Sequence, residues 1–312
     1  MLILTPLLAL TFLAPPGAAE LPGPGGLLAP GATLEKLWGE GEFTEGGALA
    51  ADGALLFSDI GDRVMRFDPK TRAVTTFRGP SGRANGLTFD PKGRLIVAEG
   101  ANTGGGRRVS ITEADGTIRT LADRYQGKRF NSPNDVAVDR KGRAYISDPR
   151  YVGAEPRELD FEAVFRVDPD GTVTRLETTA TKPNGLAISP DGKTLYVADS
   201  GQGRAALVAL DLGGDGSVSR PRVLHEFGKG RGIDGMTVTT DGRVVATAGS
   251  GPTAGIYVLT PDGTLTGVIP VPESPSNVEF GGPERSTLYI TAGKGLYRVA
   301  TTMTGFHLWP PR

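Results

Sequence analysis

The chain has 312 residues and a net charge of −1, and its Lys and Arg residues are scattered along the sequence. This balance lacks the basic patch of a nucleic-acid-binding protein, so no nucleic-acid partner is expected. The 46 Gly and 24 Pro residues, with 38% hydrophobic residues in short alternating runs, indicate many strands joined by many turns. Composition therefore predicts a folded β protein.

Residues 1–19 are predicted to be a secretory signal peptide. The apolar run from Leu2 to Ala14 is short for a membrane span, and the small residues before Ala19 suit cleavage there. We expect export to the periplasm or the extracellular space, with no membrane span after cleavage; an uncleaved membrane anchor is the alternative. Residues 20–32 are rich in Pro, Gly and Ala and are expected to be a tether.

Residues 33–312 carry a sixfold repeat. In each unit a Gly-rich turn opens onto a short apolar strand, a second turn and another strand, and successive units begin 40 to 50 residues apart. Repeats of this length, each made of several short strands, are typical of propeller blades. The residue just before the first strand is polar in every unit: Glu45, Asn85, Asn134, Asn184, Asp234 and Asn277.

The repeat predicts an all-β fold, a six-bladed β-propeller in a single domain. Asp-Gly pairs such as those in TPDGTL and DPDGTV are expected to be hairpin turns. Asp211 and Asp215 in DLGGDGSV are also assigned to a turn, because the later Glu of an EF-hand is missing. Thr33–Trp38 has no partner in the first blade, so we expect it to complete the last blade and close the ring.

Equivalent positions in a propeller meet around one central channel, so the polar residues of the repeat should converge. Glu45, Asn134, Asn184 and Asp234 together offer two carboxylates and two amide oxygens, which suits a hard divalent cation. We expect one such ion, Ca²⁺ first, with Mg²⁺, Mn²⁺ or Zn²⁺ as alternatives; zinc bound through Cys is excluded in a chain without Cys.

Turn chemistry is the alternative explanation for these positions. Asn and Asp before Gly are common turn formers. Asn85 and Asn277 are expected either to contact the ligand residues without binding the ion or to bond local backbone. Glu45 is a poor turn residue at the same offset, however, and metal ligation explains it where turn chemistry does not.

The segments GKRFNSPNDVAVDRKGRAYISDP, KPNGLAISPDGKTLYVADS and IDGMTVTTDGRVVATAGSGPTAGIYVLTPDG resemble the senescence marker protein (regucalcin)/gluconolactonase family of calcium-dependent six-bladed propellers. The resemblance runs from Leu34 to Val299. It implies that Glu45, Asn184 and Asp234 hold the metal, and that Asn134 lies beside it and contacts substrate or water. The animal members have an Arg two residues before that Asn, where this chain has Ser132. The segment NSPND resembles the bacterial gluconolactonase branch.

The resemblance also implies hydrolysis of sugar lactones. A divalent cation can polarise the lactone carbonyl and activate water. Asp234 would be a ligand and the general base, or the base would be a metal-bound hydroxide. Asn85, Asn134, Arg150 and Tyr151 are the expected substrate contacts, the last two from a long insertion after Asp148 that is expected to cover the channel mouth.

Other catalytic sets fit less well. Neither His225 nor His307 precedes a first strand, so a histidine dyad is not expected. Ser200 and Ser250 lack the nucleophile elbow of serine hydrolases and are expected to be turn residues. Two competing functions remain open at this point: a non-catalytic propeller scaffold that binds a protein or peptide, and a condensing propeller similar to strictosidine synthase.

Overall fold

The computed structural model describes residues 23–102, 104–201 and 203–311, and the proposed signal peptide lies outside them. The described residues form six four-stranded antiparallel sheets and one two-stranded ribbon. Every strand of a sheet pairs with its neighbour in the chain, apart from the first strand of the protein. The prediction of an all-β, six-bladed propeller is confirmed.

Blades 1 to 3 occupy the first half of the chain, and strands are numbered in chain order after β1. Blade 1 contains β2 (Thr44–Leu49), β3 (Leu55–Asp59), β4 (Arg63–Phe67) and β5 (Val74–Arg78); blade 2 contains β6 (Ala84–Phe89), β7 (Leu95–Glu99), β8 (Arg108–Thr112) and β9 (Ile118–Ala122). The ribbon is β10 (Arg124–Tyr125) and β11 (Lys128–Arg129), and blade 3 contains β12 (Val136–Val138), β13 (Ala144–Asp148), β14 (Ala163–Val167) and β15 (Val173–Leu176).

Blades 4 to 6 repeat this plan. Blade 4 contains β16 (Pro183–Ile188), β17 (Thr194–Asp199), β18 (Ala206–Leu212) and β19 (Val218–Glu226); blade 5 contains β20 (Met236–Val238), β21 (Val244–Ala248), β22 (Gly255–Leu259) and β23 (Leu265–Pro270); blade 6 contains β24 (Pro275–Gly281), β25 (Thr287–Ala292) and β26 (Gly295–Ala300). Two short 3₁₀ turns, Gly25–Leu27 and Gly251–Thr253, are the helical segments of the described residues. None of these residues form a helix long and apolar enough to cross a membrane.

The ring closes through strand β1 (Glu35–Trp38). It pairs antiparallel with β26, with Glu35 opposite Arg298 and Trp38 opposite Leu296, and becomes the fourth strand of blade 6. The Glu35 carboxylate accepts a hydrogen bond from Arg298 at 2.7 Å. The predicted closure is confirmed, and it covers the sheet edge that β26 would otherwise expose.

The segment before β1 lies against the propeller from Gly23 onward. Leu28 forms a β-bridge with Thr301, and the Ala29 amide donates to the Ala300 carbonyl at 3.1 Å. Leu27 is buried in a hydrophobic cluster shared with blades 5 and 6. In this part of the proposed 20–32 tether, apolar contact and backbone pairing therefore hold the chain to the last blades.

The first strand of each blade lines the channel, and its pairing is irregular at the polar position of the repeat. Register shifts occur between Glu45 and Ala48 of β2, between Ala84 and Leu87 of β6, and between Pro183 and Leu186 of β16. The polar residue therefore lies within the first strand in blades 1, 2, 4 and 6, not before it as the repeat suggested. Extra residues of this kind bend a strand and re-aim its side chains.

Close approach of neighbouring blades explains the glycine after most of these polar residues. A Cβ atom on Gly185 would lie 2.3 Å from the Asp234 carbonyl oxygen in the next blade. Gly46 has φ +61°, and a Cβ there would lie 2.5 Å from the Asn85 carbonyl oxygen. The Asn-Gly and Glu-Gly pairs thus arise from packing at the axis, which only a residue without a side chain permits.

The C-terminal segment crosses the end of the channel where the first strands finish. The Phe306 amide donates to the Val238 carbonyl at 2.9 Å in blade 5, and Arg285 of blade 6 donates to the Pro310 carbonyl. The Trp309 ring lies against Gly93 of blade 2, where an added Cβ would meet it at 2.6 Å. This segment, residues 304–310, therefore spans the lower face of the ring.

Candidate functional site

A cavity of about 1000 Å³ opens at the other end of the channel, where the first strands begin. Five of the six polar repeat residues line it: Glu45, Asn85, Asn134, Asn184 and Asp234. The sixth, Asn277, lines a separate cavity of about 120 Å³ at the lower end, and its Oδ1 accepts a hydrogen bond from the Val278 amide at 2.8 Å. Four blades thus contribute the proposed metal ligands to one space.

Asn184 and Asp234 touch across the gap between blades 4 and 5. The Asn184 side-chain amide donates to Asp234 Oδ1 at 2.7 Å. Asp234 Oδ2 accepts a hydrogen bond from the Arg231 guanidinium. The amide oxygen of Asn184 is buried, and no protein group in the described residues bonds to it. An orphaned acceptor beside a carboxylate is suited to a ligand that attracts oxygen.

Glu45 faces this pair from blade 1. It is 5% exposed, and its Oε2 accepts one hydrogen bond at 3.2 Å, from the Gly46 amide. Burial raises the pKa of the Glu45 carboxyl well above its usual range, and the charge of Asp234 raises it further. The protein alone therefore leaves negative charge poorly compensated at this point.

Burial also raises the pKa of Asp234, while the Arg231 charge and the Asn184 hydrogen bond oppose that rise. No group of three or more His, Asp or Glu side chains in the described ranges is arranged to hold a metal ion. Any cation site at the axis must therefore combine two carboxylates with amide oxygens. Such a set of hard oxygen donors, with one acceptor unused, fits a divalent cation of the calcium type.

Asn134 and Asn85 are held mainly through their backbones. The Asn134 carbonyl accepts a hydrogen bond from the Gly86 amide at 2.7 Å, and its own amide donates to Ser147. The Asn85 carbonyl accepts the Ser58 hydroxyl at 2.6 Å. Both side chains lie at the cavity wall, so they are placed to meet a bound molecule.

The two residues proposed from the insertion after Asp148 have different positions. Tyr151 lines the cavity, is 46% exposed, and has the Lys182 ammonium 4.4 Å from its ring centre. Arg150 does not line it: its guanidinium donates to the Asn131 carbonyl at 2.8 Å and to the Glu155 carbonyl at 3.0 Å. The geometry therefore gives Arg150 a role in holding the insertion in place.

Aspartates at the ends of the second strands fix the loops that precede the first strands. Asp59 accepts the Glu42 and Phe43 amides, Asp148 those of Asn131 and Ser132, and Asp199 those of Thr181 and Lys182. These bonds shape the rim of the cavity. Asp148 is fully buried, and desolvation raises its pKa to about 7.

The residues considered for other chemistry lie apart from Asp234. The His225 ring packs on Phe227 and lies 3.2 Å from the Gly263 carbonyl, and His307 pairs with Glu279 at the lower end of the channel. Ser250 bonds within its own 3₁₀ turn, and Ser200 reaches the cavity rim. No histidine of the described residues lines the large cavity.

Sequence reasoning missed Arg231, which lines the cavity and contacts Asp234 directly. Its guanidinium also donates to the Pro275 carbonyl at 2.6 Å, which links blade 5 to blade 6. The sequence feature that points to Arg231 is a cation three residues before the repeat aspartate, in GKGRGID.

Comparison with known proteins agrees with this architecture. The chain is 32% identical to a gluconolactonase of Zymomonas mobilis over 87% of this chain and 82% of that protein, and 30% identical to a pentonolactonase of Haloferax volcanii over 75% of each. A solved gluconolactonase of Xanthomonas campestris is 30% identical, with a TM-score of 0.80 over 91% of this chain and 95% of that one. The family model of the SMP-30/gluconolactonase/LRE-like region matches residues 38–294. The chain therefore belongs to the SMP-30/gluconolactonase/LRE-like family.

Proposed function

We propose that this protein is an exported, metal-dependent hydrolase that opens sugar lactones. The observation that carries the proposal is the meeting of Glu45, Asn184 and Asp234, from three blades, in one cavity. The activities named for the Zymomonas, Haloferax and Xanthomonas relatives support the reaction class. Export rests on the apolar run at residues 2–14.

Glu45, Asn184 and Asp234 are the residues that would hold the cation, Ca²⁺ first, with Asn134 beside it. When bound there, a divalent cation supplies Lewis acidity toward a lactone carbonyl and lowers the pKa of nearby water. Regucalcin of Xenopus laevis is 30% identical over 77% of this chain, and its name supports calcium as the bound ion.

The chain's own residues orient the reaction. Asn184 and Arg231 each hold one oxygen of Asp234, so its carboxylate is fixed in direction toward the cavity. Water adds to the lactone carbonyl carbon, Asp234 accepts its proton, and the ring C–O bond breaks with a proton passing to the ring oxygen. Asn85, Asn134 and Tyr151 are placed to contact the hydroxyl groups of the sugar. The product is an open-chain hydroxy acid.

Metal analysis and kinetics on the purified mature chain test the proposal. We expect stoichiometric calcium, turnover of aldonolactones, loss of turnover in EDTA, and recovery on addition of CaCl₂. A protein that turns over lactones equally well in EDTA would contradict the metal role. A protein that binds calcium and turns over no lactone would leave the scaffold function as the better explanation.

A further inference from the structure

The wall of the large cavity has an excess of positively charged residues. Its lining contains four cations and three carboxylates, so one positive charge is in excess before any metal binds, and three once a divalent cation is present. The cations are Arg83, Arg204, Lys229 and Arg231, and the carboxylates are Glu42, Glu45 and Asp234.

Three of these cations lie on the same side of the mouth, between blades 4 and 5. The Phe227 amide donates to the Ala205 carbonyl at 2.8 Å, and a Cβ on Gly232 would lie 2.8 Å from the Ala205 Cβ. The loop before Ala206 and the loop at 228–232 therefore pack side by side. Arg204, Lys229 and Arg231 belong to these two loops and line the cavity.

The cations on this wall differ in whether they already have a partner within the protein. Arg231 is committed to Asp234 and to two backbone carbonyls. Within the described residues, neither Arg204 nor Lys229 forms an ion pair, and the buried Nε of Arg204 has no hydrogen-bond partner. Two cations that line a cavity without a carboxylate partner are suited to an anionic group of a ligand.

We propose that Arg204 and Lys229 form an anion subsite, and that the substrate is a sugar lactone bearing a carboxylate, phosphate or sulfonate away from its carbonyl. The inference rests on the lactonase function proposed above and names the substrate class of the same cavity. Arg231 donates to Asp234, so the lactone carbonyl belongs beside this pair and the second charge beside Arg204 and Lys229. Attraction across the mouth would also speed the arrival of such substrates.

A matched pair of substrates isolates this charge. Glucono-1,4-lactone and glucaro-1,4-lactone share a ring and differ at C6, which is a hydroxymethyl group in one and a carboxylate in the other. We expect kcat/KM to be about tenfold or more higher for the glucaro-lactone, the factor that one hydrogen bond to a charged group supplies. Arg204→Gln and Lys229→Gln should each remove most of this preference through KM and lower kcat/KM for the glucono-lactone much less.

Arg220→Gln is the matched control, because Arg220 lies on the same blade with its side chain 81% exposed and outside the cavity lining. It should keep the wild-type preference. Equal kcat/KM for the two lactones in wild type, or an equal loss for both in Arg204→Gln, would overturn the anion subsite and leave the lactonase function standing.

Titration calorimetry gives a result that does not depend on turnover. Gluconate and 6-phosphogluconate differ only by the terminal phosphate, and wild type should bind the second about tenfold more tightly while Arg204→Gln binds both alike. If this holds in a protein that opens no lactone, the subsite stands and the proposed reaction fails. Equal binding of both acids by wild type would count against the subsite whatever the kinetics show.

Discussion

Asp234 is held by one donor on each carboxylate oxygen, the Asn184 amide on Oδ1 and the Arg231 guanidinium on Oδ2. This arrangement fixes its orientation without filling the cavity in front of it. The same residue is a proposed ligand and the proposed base, so its removal should affect chemistry far more than folding. Stability in this fold is distributed over six blades that each form their own hydrogen bonds.

Asp234→Ala should lower kcat by about 10² to 10⁴, the range for losing a general base or an oxyanion-stabilising group. Steady-state kinetics measure this loss, and circular dichroism and melting in EDTA should stay near wild type. Asp241→Ala is the control, since that carboxylate lies on the same blade with its side chain 58% exposed. Asn85→Ala should cost much less. Wild-type turnover by Asp234→Ala would place the reaction elsewhere.

Asp148 gives a pH dependence of stability. Burial raises its pKa from the usual 3.8 to about 7, so the folded state holds the proton more tightly than the unfolded state. Its contribution to the free energy of unfolding is therefore complete below about pH 4 and falls as the pH rises toward 7. Asp148→Asn removes this titration.

The difference in Tm between Asp148→Asn and wild type should accordingly shift in favour of the variant between pH 4.5 and 8, because other groups titrate equally in both proteins. Asp170→Asn is the control: the Thr172 amide lowers the pKa of this exposed carboxyl, so its Tm difference should be flat over the same range. A flat difference for Asp148→Asn as well would show that Asp148 is ionised in the folded protein throughout.

At the level of the element, β1 is the strand that completes blade 6 from the opposite end of the chain. It covers the edge of β26 and places Trp38 against Phe57 of blade 1, with ring centres 5.6 Å apart. The strand therefore joins the last blade to the first through both backbone and side-chain contacts. An open edge in its place would be available to other chains.

A chain that begins at Gly39 should melt about 10 °C below one that begins at Gly23, since it loses a paired strand, its aromatic contact and the packing of residues 23–34 on the last blades. Size-exclusion chromatography should also show self-association through the free edge of β26. The longer chain, which begins at Gly23, serves as the control because it retains every contact of β1 described above. Equal Tm values for the two chains would mean that ring closure contributes little to stability.

The elements were predictable from the sequence because the blade repeat imposes its own period and Asp-Gly pairs mark its hairpins. Equivalent offsets also brought Glu45, Asn134, Asn184 and Asp234 to one cavity, as the repeat predicted. The sequence could not show that Tyr151 lines the cavity and Arg150 does not. An irregular loop has no alternating pattern that distinguishes an inward side chain from an outward one. Asn277 lies lower because it occupies the position after the polar one: its amide donates to Thr291 Oγ1, as the Gly235 amide after Asp234 donates to Thr247 Oγ1.

For the whole molecule, the proposed ligands matter because they belong to separate blades. A cation bound by Glu45, Asn184 and Asp234 would link blades 1, 4 and 5 at the axis, where burial and mutual repulsion otherwise disfavour two charged carboxylates. Ligand binding of this kind stabilises the folded state by about 2.7 kcal/mol at a hundredfold excess over Kd.

The difference in Tm between Glu45→Gln and wild type should reverse in sign when calcium is added. In EDTA the Tm of the variant should equal or exceed that of wild type, because a buried charge is removed; in CaCl₂ wild type should gain stability and the variant should not. Differential scanning fluorimetry across a calcium series measures both arms. The exposed Glu177→Gln should follow wild type. A calcium-induced Tm shift of full size in Glu45→Gln would remove Glu45 from the ligand set.

Residues 304–310 give the channel a floor, since they lie across the lower face of the ring and leave the large cavity with its mouth at the opposite end. Substrate then enters and product leaves through the same opening of the cavity. A hydroxy acid formed at the proposed site must leave past the wall by which the next lactone arrives, so the two compete for passage as well as for the site. Inhibition by the product should therefore be competitive, and the rate of product departure sets a ceiling on how fast the cavity can be refilled.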